Sequence, residues 1–312
     1  MTTKPRIALA IGDPNGVGPE ICLKTCATTD AADLTVVGER AVLASYADRL
    51  GLPMPETIHE PGTTTEVQAG VIADDAGRAT VAAAEAAIRL AEAGAVDAVV
   101  AAPHNETAVN RAGIAFDGYP GLLARATGTD PDAVFLMLVG PGHRIVNVTL
   151  HVSVREALDL LTTERIVTAA RAADAACRRF GIEAPRIGVC GINPHASEGG
   201  LFGPEDQAVV VPAVERARAS GLAIDGPVGA DVLLAEGGHD AYLAMFHDQA
   251  HIPIKLAGRG NSYGLSIGAP VLFATVAHGS AHDIAGQGRA DPAALAGVVR
   301  QMAATLRSAA GG

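Results

Sequence analysis

Short apolar runs alternate with longer alanine-rich stretches along most of this chain, and that alternation narrows the fold more than any other feature. Ile7–Ile11, Leu34–Gly38, Ala95–Ala102, Val134–Val139, Arg144–Leu150, Arg186–Cys190 and Ser266–Thr275 have strand length and carry β-branched residues. Between them, Val42–Leu50, Ala79–Ala93, Val154–Leu161, Ile166–Phe180, Ala208–Ser220 and Pro292–Leu306 have helical length. Pro19 suits the first position of a further helix, with Glu20 in its first turn. Strands that alternate with helices predict an α/β fold, a largely parallel sheet covered by helices on both faces. Residues 57–77 and 258–264 read as irregular. The 312 residues suffice for two domains of ordinary size.

Composition excludes several functions. With 49% hydrophobic and 18% charged residues the chain can build a large core and is not disordered. A net charge of -11, no Lys/Arg-rich run and no Trp argue against a nucleic-acid surface and against docking on anionic membranes. No apolar segment is long enough to span a bilayer, and the first apolar run is too short for a signal peptide. Cys22, Cys26, Cys177 and Cys190 show no CxxC spacing and read as reduced thiols, so a cytoplasmic location is expected.

The chemistry concentrates in a few places. Ala244–Lys255 sets His247, Asp248, Gln249, His251 and Lys255 among apolar residues, which costs free energy unless each polar group has a partner. His247 is either a strand-end histidine or a metal ligand. His151 and His195 also follow apolar runs, and open α/β sheets bind ligands at the carboxyl ends of their strands. Three imidazoles would leave a fourth position open on a zinc-like ion. The glycine-rich turn 12–18 lacks both the GxGxxG spacing and the P-loop lysine. It is either a tight strand–helix connection or backbone approaching a cofactor. The loop His278-Gly-Ser-Ala-His-Asp-Ile-Ala-Gly286 is more specific.

That last loop resembles the adenine-ribose loop of the isopropylmalate/isocitrate dehydrogenase superfamily. The chain as a whole resembles the 4-hydroxythreonine-4-phosphate dehydrogenase family. The resemblance rests on Gly12-Asp-Pro-Asn-Gly-Val-Gly-Pro-Glu20, Asn193-Pro-His-Ala-Ser-Glu-Gly-Gly200, Gly226-Pro-Val-Gly-Ala-Asp231, His247-Asp-Gln249 through Lys255, and His278 to Gly286. It implies two α/β/α domains with largely parallel mixed sheets, residues 1–128 plus 285–312 and residues 129–284, with the active site in the cleft between them. It implies NAD as cofactor, contacted by Gly12, His278, Gly279, Asp283 and Asp291. A carboxylate at Asp283 would accept from both ribose hydroxyls and repel a 2′-phosphate. A divalent metal (zinc, with cobalt, manganese or magnesium as alternatives) would be held by His151, His195 and His247. The resemblance also implies a homodimer with shared active sites, its interface on the second domain.

The departures from the family pattern matter as much. Positions that bind the phosphorylated substrate elsewhere in the family carry Glu106, Tyr119-Pro120, Gly264, Phe273 and Ala277 here, and only Lys255 persists. Phosphate recognition depends on fixed cationic and hydroxyl donors. Their loss, with Pro103-His-Asn-Glu-Thr-Ala108 and Gly113-Ile-Ala-Phe-Asp-Gly-Tyr-Pro120, resembles the family's terephthalate cis-dihydrodiol dehydrogenase branch. The expected reaction is oxidation of 1,2-dihydroxy-3,5-cyclohexadiene-1,4-dicarboxylate to protocatechuate with loss of carbon dioxide. Asp231, Asp248 and Lys255 are the candidate catalytic residues, and Lys255, Tyr119 and His251 the candidate substrate contacts. The alternatives are 4-hydroxythreonine-4-phosphate itself, another β-hydroxy acid, and a non-catalytic metabolite-binding protein.

Overall fold

The structure is a computed structural model that describes residues 4–258 and 262–311. Contacts divide it into two compact units, Met1–Gly128 with Pro270–Gly311, and Thr129–Ala269. The first unit is left after Gly128. The return to the first unit comes at Pro270, because the strand that follows pairs with the first unit's sheet.

The first unit opens with β1 (Arg6–Ala10), α1 (Gly18–Thr28), β2 (Asp33–Val37), α2 (Arg40–Leu50), β3 (Ile58–His59), α3 (Asp74–Glu92), β4 (Ala98–Ala101), α4 (Glu106–Arg111) and α5 (Tyr119–Thr127). α3 buries Ala76, Ala83, Ala84, Ala87 and Ile88. Alanines on that face bring its backbone close to the sheet at little cost in side-chain entropy. α4 caps itself through Asn105, whose side chain accepts from the Ala108 amide at 2.8 Å.

The second unit contains β5 (Phe135–Gly140), β6 (His143–Asn147), α6 (Val154–Leu160), α7 (Thr163–Arg179), β7 (Arg186–Cys190), α8 (Val211–Ala219), β8 (Ala223–Val228), α9 (Ala230–Glu236), β9 (Ala241–Ala244), α10 (His247–Gly258) and β10 (Tyr263–Ile267). On α7, Ile166, Ala169, Ala170, Ala173 and Cys177 are buried at helical spacing, which fixes the face turned to the sheet. The sheet runs β10-β5-β6-β9-β7-β8. β5 is antiparallel to β10 and β6, whereas β6, β9, β7 and β8 are mutually parallel.

The chain then returns to the first unit with β11 (Phe273–Val276) and α11 (Ala293–Gly311). The strands of the first unit are parallel throughout, in the order β3-β2-β1-β4-β11. The fold is therefore mixed α/β with largely parallel strand pairing, as expected. Ser266–Thr275, expected as one strand, is two. Gly268 takes a positive φ of 95° with no room for a Cβ against the Ala133 carbonyl, so the chain turns there. The expected loop 258–264 lies partly outside the described residues.

The four cysteines are free, and Cys22, Cys177 and Cys190 are buried. Among the described residues no helix is long and apolar enough to cross a membrane.

Candidate active site

β6, β9 and β7 are adjacent and parallel, so their carboxyl ends open on the same side of the second unit's sheet. Asn147 pairs with Ala244 in register, and the two strands end almost level. His151 follows β6 by four residues and His247 follows β9 by three. Beyond the strands the two segments stay tied, because the Val148 amide donates to the Ala244 carbonyl at 2.9 Å and the Thr149 hydroxyl to that of Met245 at 2.6 Å. The imidazoles of His151 and His247 consequently lie with centroids 5.7 Å apart. They line a cavity of about 590 Å³ with Thr149, Glu156, Phe246 and Asp248.

His247 is not a strand-end residue but the first residue of α10. Asp248 Oδ1 lies 2.7 Å from His247 Nδ1. A carboxylate accepts from Nδ1–H, so Nε2 keeps its lone pair for a ligand, the arrangement that orients metal-binding histidines. One turn further, His251 stacks on His247 with centroids 3.7 Å apart, its Nδ1 3.1 Å from the His247 carbonyl. Burial, reinforced by the neighbouring basic side chains His247, Lys255 and His151, pushes its pKa down to about 4, so His251 is neutral at pH 7. Lys255 follows at the same four-residue spacing, so His247, His251 and Lys255 share one face of α10, with Lys255 exposed.

His195 is placed differently. Residues 195–199 are consecutively left-handed, with φ of 52°, 50°, 67°, 45° and 68°. For residues other than glycine each such conformation costs roughly 1–2 kcal/mol. The turn is held by Asp206, wholly buried at the start of a single π-turn that runs into α8. Its carboxylate accepts from the Ile192 amide (2.7 Å), the Asn193 amide (3.0 Å) and the Ser197 hydroxyl (2.6 Å). Gln249 joins this loop to α10. Its Oε1 accepts from the Met245 and Phe246 amides at 2.8 and 3.1 Å, and its Nε2 donates to the Gly191 carbonyl at 3.0 Å. A Cβ at Gly229 would lie 3.0 Å from Asp231 Oδ1 and 3.5 Å from His195 Cα, so Asp231 and His195 flank the same glycine.

Within one chain the three histidines do not converge. Among the described residues no group of three His, Cys, Asp or Glu side chains is close enough to hold an ion. Exposed His151 and half-buried His247 supply two arms of suitable donor chemistry, and His195 stands apart from them.

The first unit carries the expected cofactor residues. Gly12 has a positive φ of 68°, and a Cβ there would run into the Pro103 carbonyl. Gly16 is closed by Ser280 and Gly18 by the Ile11 carbonyl. Packing within the chain accounts for these glycines. Gly12→Ala is expected to cost at least about 1–3 kcal/mol by overpacking, read as a lower denaturation midpoint with unchanged slope.

Turn 12–18 and loop 278–288 are tied together. Val17 donates its amide to the Ser280 carbonyl at 2.9 Å, and His282 Nε2 lies 3.0 Å from the buried carboxylate of Asp13. Burial pushes the Asp13 carboxyl up, opposed by the Asn15 amide and by His282. Asn15 is also wholly buried, and its Nδ2 has no partner among the described residues, a donor left for a ligand or water. His278, Gly279 and Asp283 are exposed, and a Cβ at Gly279 would meet nothing within 4 Å. Asp291 accepts from the Ala293 amide at 2.9 Å and caps α11.

Tyr119 is buried, with its hydroxyl donating to the Ala102 carbonyl at 3.2 Å. Its ring lies 4.9 Å from Phe273 and 4.7 Å edge-on to His104, which in turn meets Phe116 at 4.8 Å. Tyr119 and Phe273, both departures from the family pattern, therefore touch each other, and partly exposed His104 is the polar end of their cluster. Sequence reasoning did not single out His104, Asp206 or the Asp13–His282 pair for a role. Asp13 and His282 stood inside quoted motifs, whereas nothing local marked Asp206.

The family model for the pyridoxal phosphate biosynthetic protein PdxA matches residues 30–302. The chain belongs to the PdxA family. A 1,2-dihydroxy-3,5-cyclohexadiene-1,4-dicarboxylate dehydrogenase of a Comamonas species is 52% identical over 297 residues, 93% of this chain and 94% of that one. A crystal structure of a terephthalate 1,2-cis-dihydrodiol dehydrogenase from Burkholderia xenovorans LB400 is 43% identical with a TM-score of 0.71, covering 97% of this chain and 98% of that one. The 4-hydroxythreonine-4-phosphate dehydrogenase of Klebsiella pneumoniae is 34% identical with a TM-score of 0.84, covering 97% and 100%. This PdxA-family member is thus an enzyme of the dehydrogenase class, and identity ranks the dihydrodiol dehydrogenases above the phosphate-substrate branch.

Proposed function

We propose that the protein is an NAD-dependent dehydrogenase that converts 1,2-dihydroxy-3,5-cyclohexadiene-1,4-dicarboxylate to protocatechuate, carbon dioxide and NADH. The observation that carries this reading is the Tyr119–Phe273 contact. The side chains at two positions that the family resemblance assigns to the phosphorylated substrate are here packed into one buried aromatic cluster, which leaves no cation at either. The 52% identity to the Comamonas dihydrodiol dehydrogenase supports it.

The substrate's secondary alcohol neighbours a ring carbon that bears a carboxylate. Removal of hydride from the carbinol carbon creates a carbonyl β to that carboxylate. Loss of carbon dioxide then gives the aromatic catechol. Lys255 pairs with a ring carboxylate, and its place two turns after His247 on α10 supports that role. Asp248 orients His247, and Asp231 is the candidate to move the alcohol or ring proton. A divalent metal held by His151, His195 and His247 would polarise the alcohol and carbonyl oxygens. All-imidazole ligation favours zinc.

We further propose that the third imidazole comes from a second copy, His195 of one subunit completing the pair His151 and His247 of the other. Exposed apolar side chains support a homodimer through the second unit. Val154 and Leu158 lie on α6, Ile252 and Leu256 on α10, and Leu201 and Phe202 beside the turn that bears His195.

Incubation with the dihydrodiol and NAD is expected to yield NADH, carbon dioxide and protocatechuate in equal amounts, to stop on chelation, and to resume with zinc, cobalt or manganese. NADH without carbon dioxide would rule out the decarboxylating step. For the cofactor, Asp283 is proposed to accept from the ribose hydroxyls. Asp283→Ala should narrow the preference for NAD over NADP by about tenfold or more, the loss of a charged hydrogen bond and of a like-charge repulsion. An unchanged ratio of kcat/KM values would remove Asp283 from the cofactor site.

A further inference from the structure

We infer that Asp206 is the positioning residue for His195. It holds residues 195–199 in the left-handed turn that presents this imidazole. The inference rests on the proposed role of His195 as a metal ligand. Five consecutive residues are left-handed, and four of them, His195, Ala196, Ser197 and Glu198, are not glycine. Such a turn does not persist by its own preference and needs surroundings that over-determine it. Asp206 supplies them from within the core. Two of its three acceptor contacts fix the entry to the turn at Ile192 and Asn193, and the third fixes its middle at buried Ser197. Asn193 reinforces the same point, donating to the Ser197 hydroxyl at 3.2 Å and to Glu205 Oε2 at 2.7 Å. Gly191 leaves no space for a side chain against Ala196 and Asp206, so the loop packs directly on its anchor. His195 itself is exposed, so its orientation follows from the backbone rather than from contacts of the ring with a core.

Asp206→Asn keeps the shape and removes the charge that gathers the three donors. Zinc affinity, measured by competition with a chromophoric chelator on the intact dimer, is expected to fall about 10–100-fold, the usual effect of losing an outer-shell partner. The visible spectrum of the cobalt-substituted protein should change with it. Ser197→Ala removes one contact and should give a smaller loss in the same direction, and it serves if Asp206→Asn does not fold. Glu198 is exposed, and glycine at its position carries no left-handed penalty, so Glu198→Gly in the Asp206→Asn background should recover part of the affinity. A folded Asp206→Asn protein that binds zinc as tightly as wild type, or no recovery with Glu198→Gly, would overturn the assignment.

Amide exchange over residues 192–199 in zinc-free protein separates this inference from the metal reading. It should quicken about tenfold or more in Asp206→Asn, the scale of one hydrogen bond to a charged group, and unchanged exchange would sink the anchoring role. If wild type binds no zinc but exchange quickens, the metal reading fails and the anchoring role of Asp206 stands.

Discussion

Neither His195→Ala nor His247→Ala protein is expected to turn over substrate alone, and their mixture is expected to recover about a quarter of the wild-type rate by random pairing in a two-fold dimer. The reason is geometric. His151 and His247 lie just beyond the ends of neighbouring strands of one chain, with ring centroids 5.7 Å apart, while among the described residues no group of three ligating side chains is placed to hold an ion. If His195 of the second copy completes the site, a mixed dimer holds one site with both lesions and one with neither. Co-expression under two tags and isolation of the mixed species makes the test direct. His151→Ala mixed with His247→Ala is the control with the opposite expectation. Both residues come from the same copy, so no pairing rebuilds a site and no activity returns. Recovery in the control, or none in the first mixture, would mean that the three histidines are shared out differently.

Phe273→Arg is expected to destabilise the protein by about 3–5 kcal/mol, the cost of an uncompensated buried charge, and not to create activity on a phosphorylated substrate. Phe273 has no exposed surface. It lies on β11, paired with Val99 of β4, and its ring packs on Tyr119, whose hydroxyl is already committed to the Ala102 carbonyl. An arginine there would enter a cluster of Tyr119, Phe116 and His104 rings that holds no carboxylate to pair with it. Denaturant midpoints read the loss. A folded Phe273→Arg protein of unchanged stability that oxidises 4-phosphohydroxythreonine would show that one residue, not the whole cluster, separates the two substrate classes.

Much of this was legible in the sequence because strand ends are. The apolar runs at 7–11, 34–38, 134–139 and 186–190 became strands with small shifts at their ends, since nothing but a buried strand suits such short β-branched segments. The apolar stretches before His151, His195 and His247 are three adjacent parallel strands, and each histidine follows within a few residues of its strand's carboxyl end. What stayed hidden depends on long-range partners. Residues 244–255 read ambiguously because Pro253 sits inside what proves to be a helix. Ser266–Thr275 read as continuous because both of its strands are apolar, and only the contact of Gly268 with Ala133 divides them. Nothing in residues 194–200 announces a left-handed turn, because its anchor, Asp206, lies beyond it in sequence and reaches it only through the fold. The turn at 12–18 carried an open choice, and the carbonyls of Pro103 and Ile11 explain its glycines by packing.

The measurement that bears most directly on the central claim is the ratio of kcat/KM for the dihydrodiol to that for 4-phosphohydroxythreonine, both with NAD and saturating zinc. A site that has lost its phosphate donors should favour the dihydrodiol by about 10⁴ or more, the scale at which unpaired polar groups discriminate between substrates. Comparable values, or a preference for the phosphorylated substrate, would contradict the account.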